Sequence, residues 1–292
     1  MASFTPFSVT VHHLGAEIPN LIAYERGVSA SKNALVFIGG LTEGPHTNAA
    51  IGVIAQRLEG TDFGVWELRM RSSYTGFGYS TLSNDVEDIS VLVRYLRKIS
   101  KEKIVLLGAS TGCQDCLEYT DHEKYRNVPV DGYILLSPVS ERQAAGLIMS
   151  QEDYVRSIKH AQDMILQGNE SEAMPTSLIP FVFSSPVTAY RWNSLAAQGG
   201  DDDYFSSDLD DATVKRKFGR IDRPILFLPG EKDELVLPSV DKRELLERWC
   251  QACPVDTISG LSGNIPGADH AVSQPEAREW VGTTVRSFVE LL

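Results

Sequence analysis

The sequence predicts an α/β fold built on a mostly parallel sheet, and three observations carry that expectation. Short apolar runs of strand length alternate with longer stretches of helical periodicity, as βαβ units do. Several of those runs are apolar throughout, which suits strands buried on both faces of a sheet. Glycines cluster directly after them, where a strand must turn sharply into a loop or helix. With 292 residues, 42% hydrophobic and 23% charged, the chain can bury a large core without disulfide or metal staples. A single domain over 1–292 is expected, interrupted by one insertion.

In chain order, residues 8–14 and 21–27 are short and strand-like, with Gly15-Ala16 and Pro19-Asn20 between them, and predict an N-terminal hairpin. The apolar run 34–40 ends in Gly39 and Gly40, and a loop leads to a helix over 49–58. Residues 63–70 read as a strand. Asn84 and Glu87 are placed to cap a helix over 85–100, whose Val86, Ile89, Leu92, Val93 and Leu96 recur at helical spacing. A strand over 103–110, a helix over 111–120 and a strand over 131–139 come next. The last part supplies a strand over 223–230, a helix over 239–250, a strand over 255–261 and a terminal helix. Ser273, Pro275 and Glu276 mark that helix's start, and Trp280, Val281, Val285 and Phe288 its buried face. From about 141 to 218 the alternation stops, and helical patterns with an acidic run predict an inserted lid.

Charge and composition exclude several classes. A net charge of −12 and a pI near 5.0 do not suit nucleic-acid binding, which needs clustered Lys and Arg. No apolar stretch approaches the roughly 18–20 residues of a membrane helix. The N-terminus lacks a basic leader followed by an apolar run, so the expected address is cytoplasmic. Cys113/Cys116 and Cys250/Cys253 form two Cys-x-x-Cys pairs. Because both fall on predicted helices with no His at finger-like spacing, they read as reduced core thiols rather than as a zinc or redox site.

The chemistry-bearing motif is Gly108-Ala109-Ser110-Thr111-Gly112. A G-x-S-x-G between a buried strand and a helix is a nucleophile turn: it lifts the serine above the carboxyl ends of the strands and aims the next backbone N–H at a developing oxyanion. A neutral serine needs an imidazole to take its proton, and the imidazole needs a carboxylate to hold its tautomer. In folds with this turn the acid and then the His follow the serine along the chain. Asp233 sits just past the strand over 223–230, and His270 just before the terminal helix. Glu231 and Glu234 flank Asp233 as rivals, while Asp256 and Asp269 are less well placed. These residues make the prediction an α/β-hydrolase fold, a mostly parallel central sheet flanked by helices with a helical lid insertion.

The remaining candidates are loop residues. The second oxyanion donor is expected on Gly39-Gly40-Leu41-Thr42, with the Leu41 N–H first and Thr42 as the alternative, beside the Thr111 N–H. Thr42, His46, Arg69, Arg71 and Tyr74 are candidate substrate contacts. His46 is equally well read as structural, and the arginines better as partners of Asp85 or Glu87 that hold their loop. Asp201, Asp202 and Asp203, with Asp208, Asp210 and Asp211, are read as solvated loop residues and helix caps in preference to a lure for cationic substrates.

With these residues assembled, the chain resembles a fungal branch of the α/β-hydrolases, DUF1749, and within it the siderophore esterases that open the ester bonds of fusarinine-type iron carriers. The segments FIGGLTEGPHT, ELRMRSSYTGFGYSTLSNDVEDI, LLGASTGCQD, LPGEKDELV and GADHAVSQP carry the resemblance, spread from about Leu35 to the C-terminus. Many relatives have His-Gly where Gly39 and Gly40 stand, a departure at the oxyanion loop. The resemblance places the family's triad on Ser110, Asp233 and His270. It implies intracellular hydrolysis of fusarinine C or triacetylfusarinine C, which frees iron. The partner so implied is a small-molecule ester, a ferric siderophore among the candidates; no membrane or nucleic-acid partner is expected, and the sequence sets no oligomeric state. This chemistry requires no metal or cofactor. Two other functions fit the same residues: a general carboxylesterase, thioesterase or lactonase, and a hydrolase-like protein that binds without turnover.

Overall fold

A computed structural model describes residues 6–15, 18–27, 31–183 and 185–292. Among them the sheet has seven strands: β1 (Val9–His13), β2 (Ile22–Arg26), β3 (Asn33–Ile38), β4 (Phe63–Arg69), β5 (Ile104–Ala109), β6 (Gly132–Leu136) and β7 (Ile225–Leu228). Their order is β1-β2-β4-β3-β5-β6-β7. The first two strands pair antiparallel and β2 meets β4 antiparallel; from β4 onward every pair is parallel. This is the expected fold. The predicted hairpin is present, with Ala16 of its connection outside the described residues.

The fully buried strands are those with unbroken apolar runs. Every residue of β3, β5, β6 and β7 is buried, because helices cover both faces. On one face lie α2 (Leu82–Lys98), α3 (Gly112–Tyr119) and α9 (Lys242–Ala252), packed through Val86, Ile89, Leu117 and Trp249. On the other lie α1 (Ala49–Arg57) and α10 (Pro275–Leu291), packed through Ile51, Ile54, Val281, Val285 and Phe288. The one-turn α4 (His122–Tyr125) follows α3.

Between β6 and β7 the chain leaves the sheet for α5 (Glu141–Ile148), α6 (Gln151–Leu166), α7 (Ala189–Ala196) and α8 (Asp211–Phe218). These helices occupy the interval expected to depart from the alternation. Part of the insertion has its own apolar centre around Trp192, Met174, Leu178, Ala161 and Phe77, and Leu41 from the loop after β3 packs against it.

Several local expectations are corrected. The segment 255–261 is not a strand. After a short 3-10 turn it runs beside β7, with the Ser259 N–H on the Ile225 carbonyl and the Gly263 N–H on the Phe227 carbonyl. Four residues thus span what two would in a regular ladder, and the surplus folds into a turn closed by Ser262 N–H to Ser259 O. Helix α2 begins at Leu82, not 85, because Thr81 is extended and its side chain accepts the Asn84 N–H at 3.1 Å. Helix α9 starts at Lys242 under an Asp241 cap, leaving Cys253 as its C-cap. Ser273 does not cap α10: Gln274 stands there, and the Ser273 hydroxyl is taken by Asp269.

The acidic run is a further correction. Asp202 and Asp203 are buried, not solvated. Asp202 pairs with Arg191 at 2.8 Å and Asp203 with Arg142 at 3.1 Å, binding the segment after α7 back to the first turn of α7 and to α5. Asp210 does cap α8, as expected, and the exposed Asp211 meets Arg248.

Candidate active site

The Gly108–Gly112 turn, the candidate nucleophile turn, forms because two glycines let backbones meet. A Cβ on Gly108 would lie 2.1 Å from the Gly112 carbonyl oxygen, and one on Gly112 would lie 2.3 Å from the Ile38 carbonyl oxygen. No side chain fits in either place. Between them Ser110 takes φ +52°, a left-handed conformation costly for a non-glycine residue. The turn is held by Ser110 N–H to Leu136 O at 3.0 Å and Cys113 N–H to Ser110 O at 2.9 Å. Ser110 therefore stands at the carboxyl end of β5, in the middle of the sheet.

Two segments from the far end of the chain converge on it. His270 Nε2 lies 2.9 Å from Ser110 Oγ, and His270 Nδ1 lies 2.9 Å from Asp233 Oδ2. Asp233 is buried, and its other oxygen accepts the Leu235 N–H at 2.9 Å. Burial alone would lower the His270 pKa, but the bond and charge of Asp233, with Glu234 and Glu141 adding, carry it above its ordinary value. The rivals have other work. Glu231 accepts the Gly267 N–H at 2.6 Å and Glu234 the His270 N–H at 3.0 Å, so both staple the loop after β7 to the histidine loop. Asp269 bonds Ser273. Val272, two residues past the histidine, is buried at φ +49°, an outlier for a β-branched residue.

The loop after β3 supplies the facing wall. A Cβ on Gly40 would fall 2.7 Å from that of Ser110. The Gly40 N–H is consumed by Glu43 Oε2 at 2.9 Å, while the other Glu43 oxygen accepts from Asn48. Among the described residues no protein acceptor meets the N–H of Leu41 or of Thr111. Glu43 escaped the sequence reading, although its place three residues after Gly40, closing a turn through Glu43 N–H to Gly40 O at 3.1 Å, is a recognisable local signal.

The other candidate contacts are engaged away from the serine. His46 is held by Glu67 through its backbone N–H at 2.7 Å and Nδ1 at 2.9 Å, beside the Tyr24 ring. Tyr74 donates to Pro45 O at 3.0 Å and fills the space a side chain on Gly44 would need. Both buttress the loop. Arg71 pairs with Glu87, as expected, but with Asp88 and not Asp85 as its second partner; Arg69 donates to Asn20 O. Thr42 is exposed at φ +65°. Cys113 and Cys116 are fully buried on α3, where burial pushes both thiols well up.

Beside the loop after β3 lies a small cavity lined by Gly40, Leu41, Ser72, Asp85, Thr111 and Asp115, among others. Arg191 is buried against it and faces Asp85, Asp115 and Asp202. Burial pushes the Asp85 carboxyl up to about 7 against the pull of Arg191, and that of Asp115 well above the carboxylate range.

A serine, an imidazole and a carboxylate in hydrogen-bonded series, with backbone N–H groups nearby that have no protein acceptor among the described residues, can transfer an acyl group. Residues 1–290 match the family described as protein of unknown function DUF1749. The chain belongs to the DUF1749 family. It is 33% identical over 285 residues to a UPF0613 protein of Schizosaccharomyces pombe, with 90% of each chain covered. It is 31% identical to an esterase of Emericella nidulans, covering 87% of this chain and 85% of that one. The fusarinine C esterase of Aspergillus fumigatus is 27% identical over 93% of both chains. The solved structure of siderophore hydrolase EstB from the same fungus superposes with a TM-score of 0.84 at 26% identity, covering 98% of each chain. This DUF1749 member is thus a hydrolase of the α/β-hydrolase fold, related to siderophore esterases. Among its described residues no helix is long and apolar enough to cross a membrane.

Proposed function

We propose that this chain is a serine esterase that opens the ester bonds of fusarinine-type hydroxamate siderophores through an acyl-enzyme on Ser110. The observation that carries the chemistry is the unbroken relay of Ser110, His270 and Asp233, with both links at 2.9 Å. The fusarinine C esterase and the siderophore hydrolase among its relatives support the substrate class.

Ser110 Oγ attacks the ester carbonyl as His270 Nε2 takes its proton, and Asp233 stabilises the resulting imidazolium. The N–H groups of Leu41 and Thr111 hold the oxyanion, each contributing about 3 kcal/mol in the transition state. Glu43 occupies the Gly40 N–H, which leaves the N–H of Leu41, the donor assigned here, and that of Thr42 as its alternative, both without a protein acceptor among the described residues. His270 then protonates the leaving alcohol and next activates the water that releases the acid. Iron arrives as cargo inside the substrate, and cutting a multidentate carrier into monomeric hydroxamates weakens its grip on the metal. The reaction is assigned to the cytoplasm, and helices α5 to α7 to a lid, packed against Leu41; α8 stays with the main core, where Phe218 stacks on Phe227 and Trp249.

The test is a panel of short aryl esters, long acyl esters, thioesters, and apo and ferric fusarinines, assayed with wild type and Ser110→Ala. Fusarinine cleavage should exceed that of the other esters in kcat/KM and vanish in the variant. Preference for aryl or long acyl esters would overturn the siderophore assignment.

A further inference from the structure

Glu141 opens α5, where the inserted helices meet the nucleophile turn. Its Oε1 accepts from Thr111 Oγ1 at 2.6 Å, and its Oε2 accepts from Gln114 Nε2. Gln114 also donates to Val139 O at 3.2 Å, just before α5. Thr111 and Gln114 are both buried, at the nucleophile turn and in the first turn of α3. One carboxyl group therefore ties the residue after the nucleophile, and the helix behind it, to the insertion. The α5 N-cap is anchored in turn, since the Ser140 hydroxyl meets that of Ser206, which bonds Asp203.

We propose that Glu141 is a positioning residue for ester cleavage, clamping Thr111 and Gln114 so that the Thr111 N–H stays aimed at the oxyanion. The inference rests on the serine-esterase reading and adds to it a residue outside the relay. Without Glu141 the Thr111 hydroxyl would rotate freely, and the turn would be held by its backbone bonds and by the Cys113 thiol on Gly108 O and Leu136 O, none of which grips the Thr111 side chain. With the clamp, the donor and the lid's first helix move as one body.

The charges around Glu141 decide the form in which it works. Asp202, Asp115 and Cys113 bear on it as acids, Arg191 is the facing cation, and His270 lies within electrostatic reach. Burial, resisted by the Thr111 bond and Arg191, pushes its carboxyl up to about 8. It is neutral below that pH and becomes a carboxylate above it. An anion bonded to the oxyanion-donor residue would repel the charge developing on the substrate.

The experiment measures kcat, KM and melting temperature for wild type, Glu141→Gln and Glu141→Ala between pH 6 and 10, using a short aryl ester, with fluorophosphonate labelling at Ser110 as a second readout. Glu141→Ala should lose about tenfold or more in kcat at pH 7.5 with KM little changed, the pattern of a lost transition-state interaction. Glu141→Gln, which keeps the shape but cannot ionise, should restore most of that loss and stay flat where wild-type kcat falls above pH 8. A folded Glu141→Ala with wild-type kcat, or a Glu141→Gln that declines with alkali as wild type does, overturns the proposal. Should Glu141→Ala fail to fold, the Glu141→Gln profile decides alone. A wild type that neither labels nor hydrolyses overturns the esterase reading, and this inference with it.

Discussion

Replacing Gly112 with alanine tests the close approach on which the nucleophile turn depends. The new Cβ would sit 2.3 Å from the Ile38 carbonyl oxygen and 3.1 Å from that of Gly39. Carbon and oxygen settle near 3.3 Å even in favourable C–H···O contacts, so the turn must withdraw from β3 by about 1 Å. That displacement separates Ser110 and the Thr111 N–H from the Leu41 loop, and a misplacement of about 1 Å can cost about 10²-fold in rate. The strain should also destabilise the fold by about 1–3 kcal/mol, lowering the melting temperature by several degrees. Gly52, in α1, is the matched control. Nothing lies within 4 Å of the Cβ it would gain, and alanine in a helix interior is favoured by roughly 0.5–1 kcal/mol. Aryl-ester kinetics and thermal melts of both variants decide. Gly112→Ala should be slow and less stable, and Gly52→Ala fully active and slightly more stable. A Gly112→Ala protein that melts with wild type and keeps its kcat/KM refutes the close-packing argument.

Three further outcomes are expected of the same structure. Asp233→Asn should leave the fold intact but lower kcat by about 10⁴, the effect of a wrong imidazole tautomer; steady-state kinetics on a folded sample check it, and a loss below tenfold contradicts it. With Asp85, Asp115 and Glu141 all raised by burial, the folded state holds protons the unfolded chain has released. Their contribution to stability is present below the ordinary carboxylate range and is lost as pH rises through the folded values, at about 1.4 kcal/mol per pH unit for each such proton. Melting temperature should therefore fall between pH 5.5 and 8, and the fall should steepen in Arg191→Leu, which also loses about 3–5 kcal/mol by removing the buried cation from Asp202; equal melting at both pH values would contradict this. Finally, since His270 must be neutral to accept a proton and its pKa is raised, kcat/KM should climb through an acid limb whose midpoint lies above pH 6.5. A midpoint below 6 would mean that the charge of Asp233 does not reach the ring.

The sheet and the relay were legible in the sequence because each leaves a local trace. Unbroken apolar runs such as 104–109 mark strands covered on both faces, and the G-x-S-x-G spacing records a steric demand that only glycine meets. Asp233 and His270 could be placed by chain order once the serine was fixed. The rest lacked such traces. Asp202 and Asp203 belong to an acidic run that looks solvated, and only the fold brings Arg191 and Arg142 against them. The segment 255–261 has strand composition, yet the turn at Ser259–Ser262, of which the sequence gives no period-two sign, breaks its ladder. His46 and Tyr74 have the chemistry of ligand contacts but are consumed by Glu67 and Pro45, partners set by tertiary structure alone. Glu43 and Glu141 passed unnoticed because one acts on a neighbouring backbone N–H and the other across 30 residues of sequence.

The most direct measurement is a rapid acid quench of the protein during turnover of an activated aryl ester, with peptide mass mapping of the quenched sample. The account predicts that the peptide containing Ser110 gains one acyl group in place of one hydrogen, that His270→Ala suppresses the adduct, and that Ser110→Ala abolishes it. Turnover without any adduct, an adduct on another residue, or full activity in Ser110→Ala would contradict it.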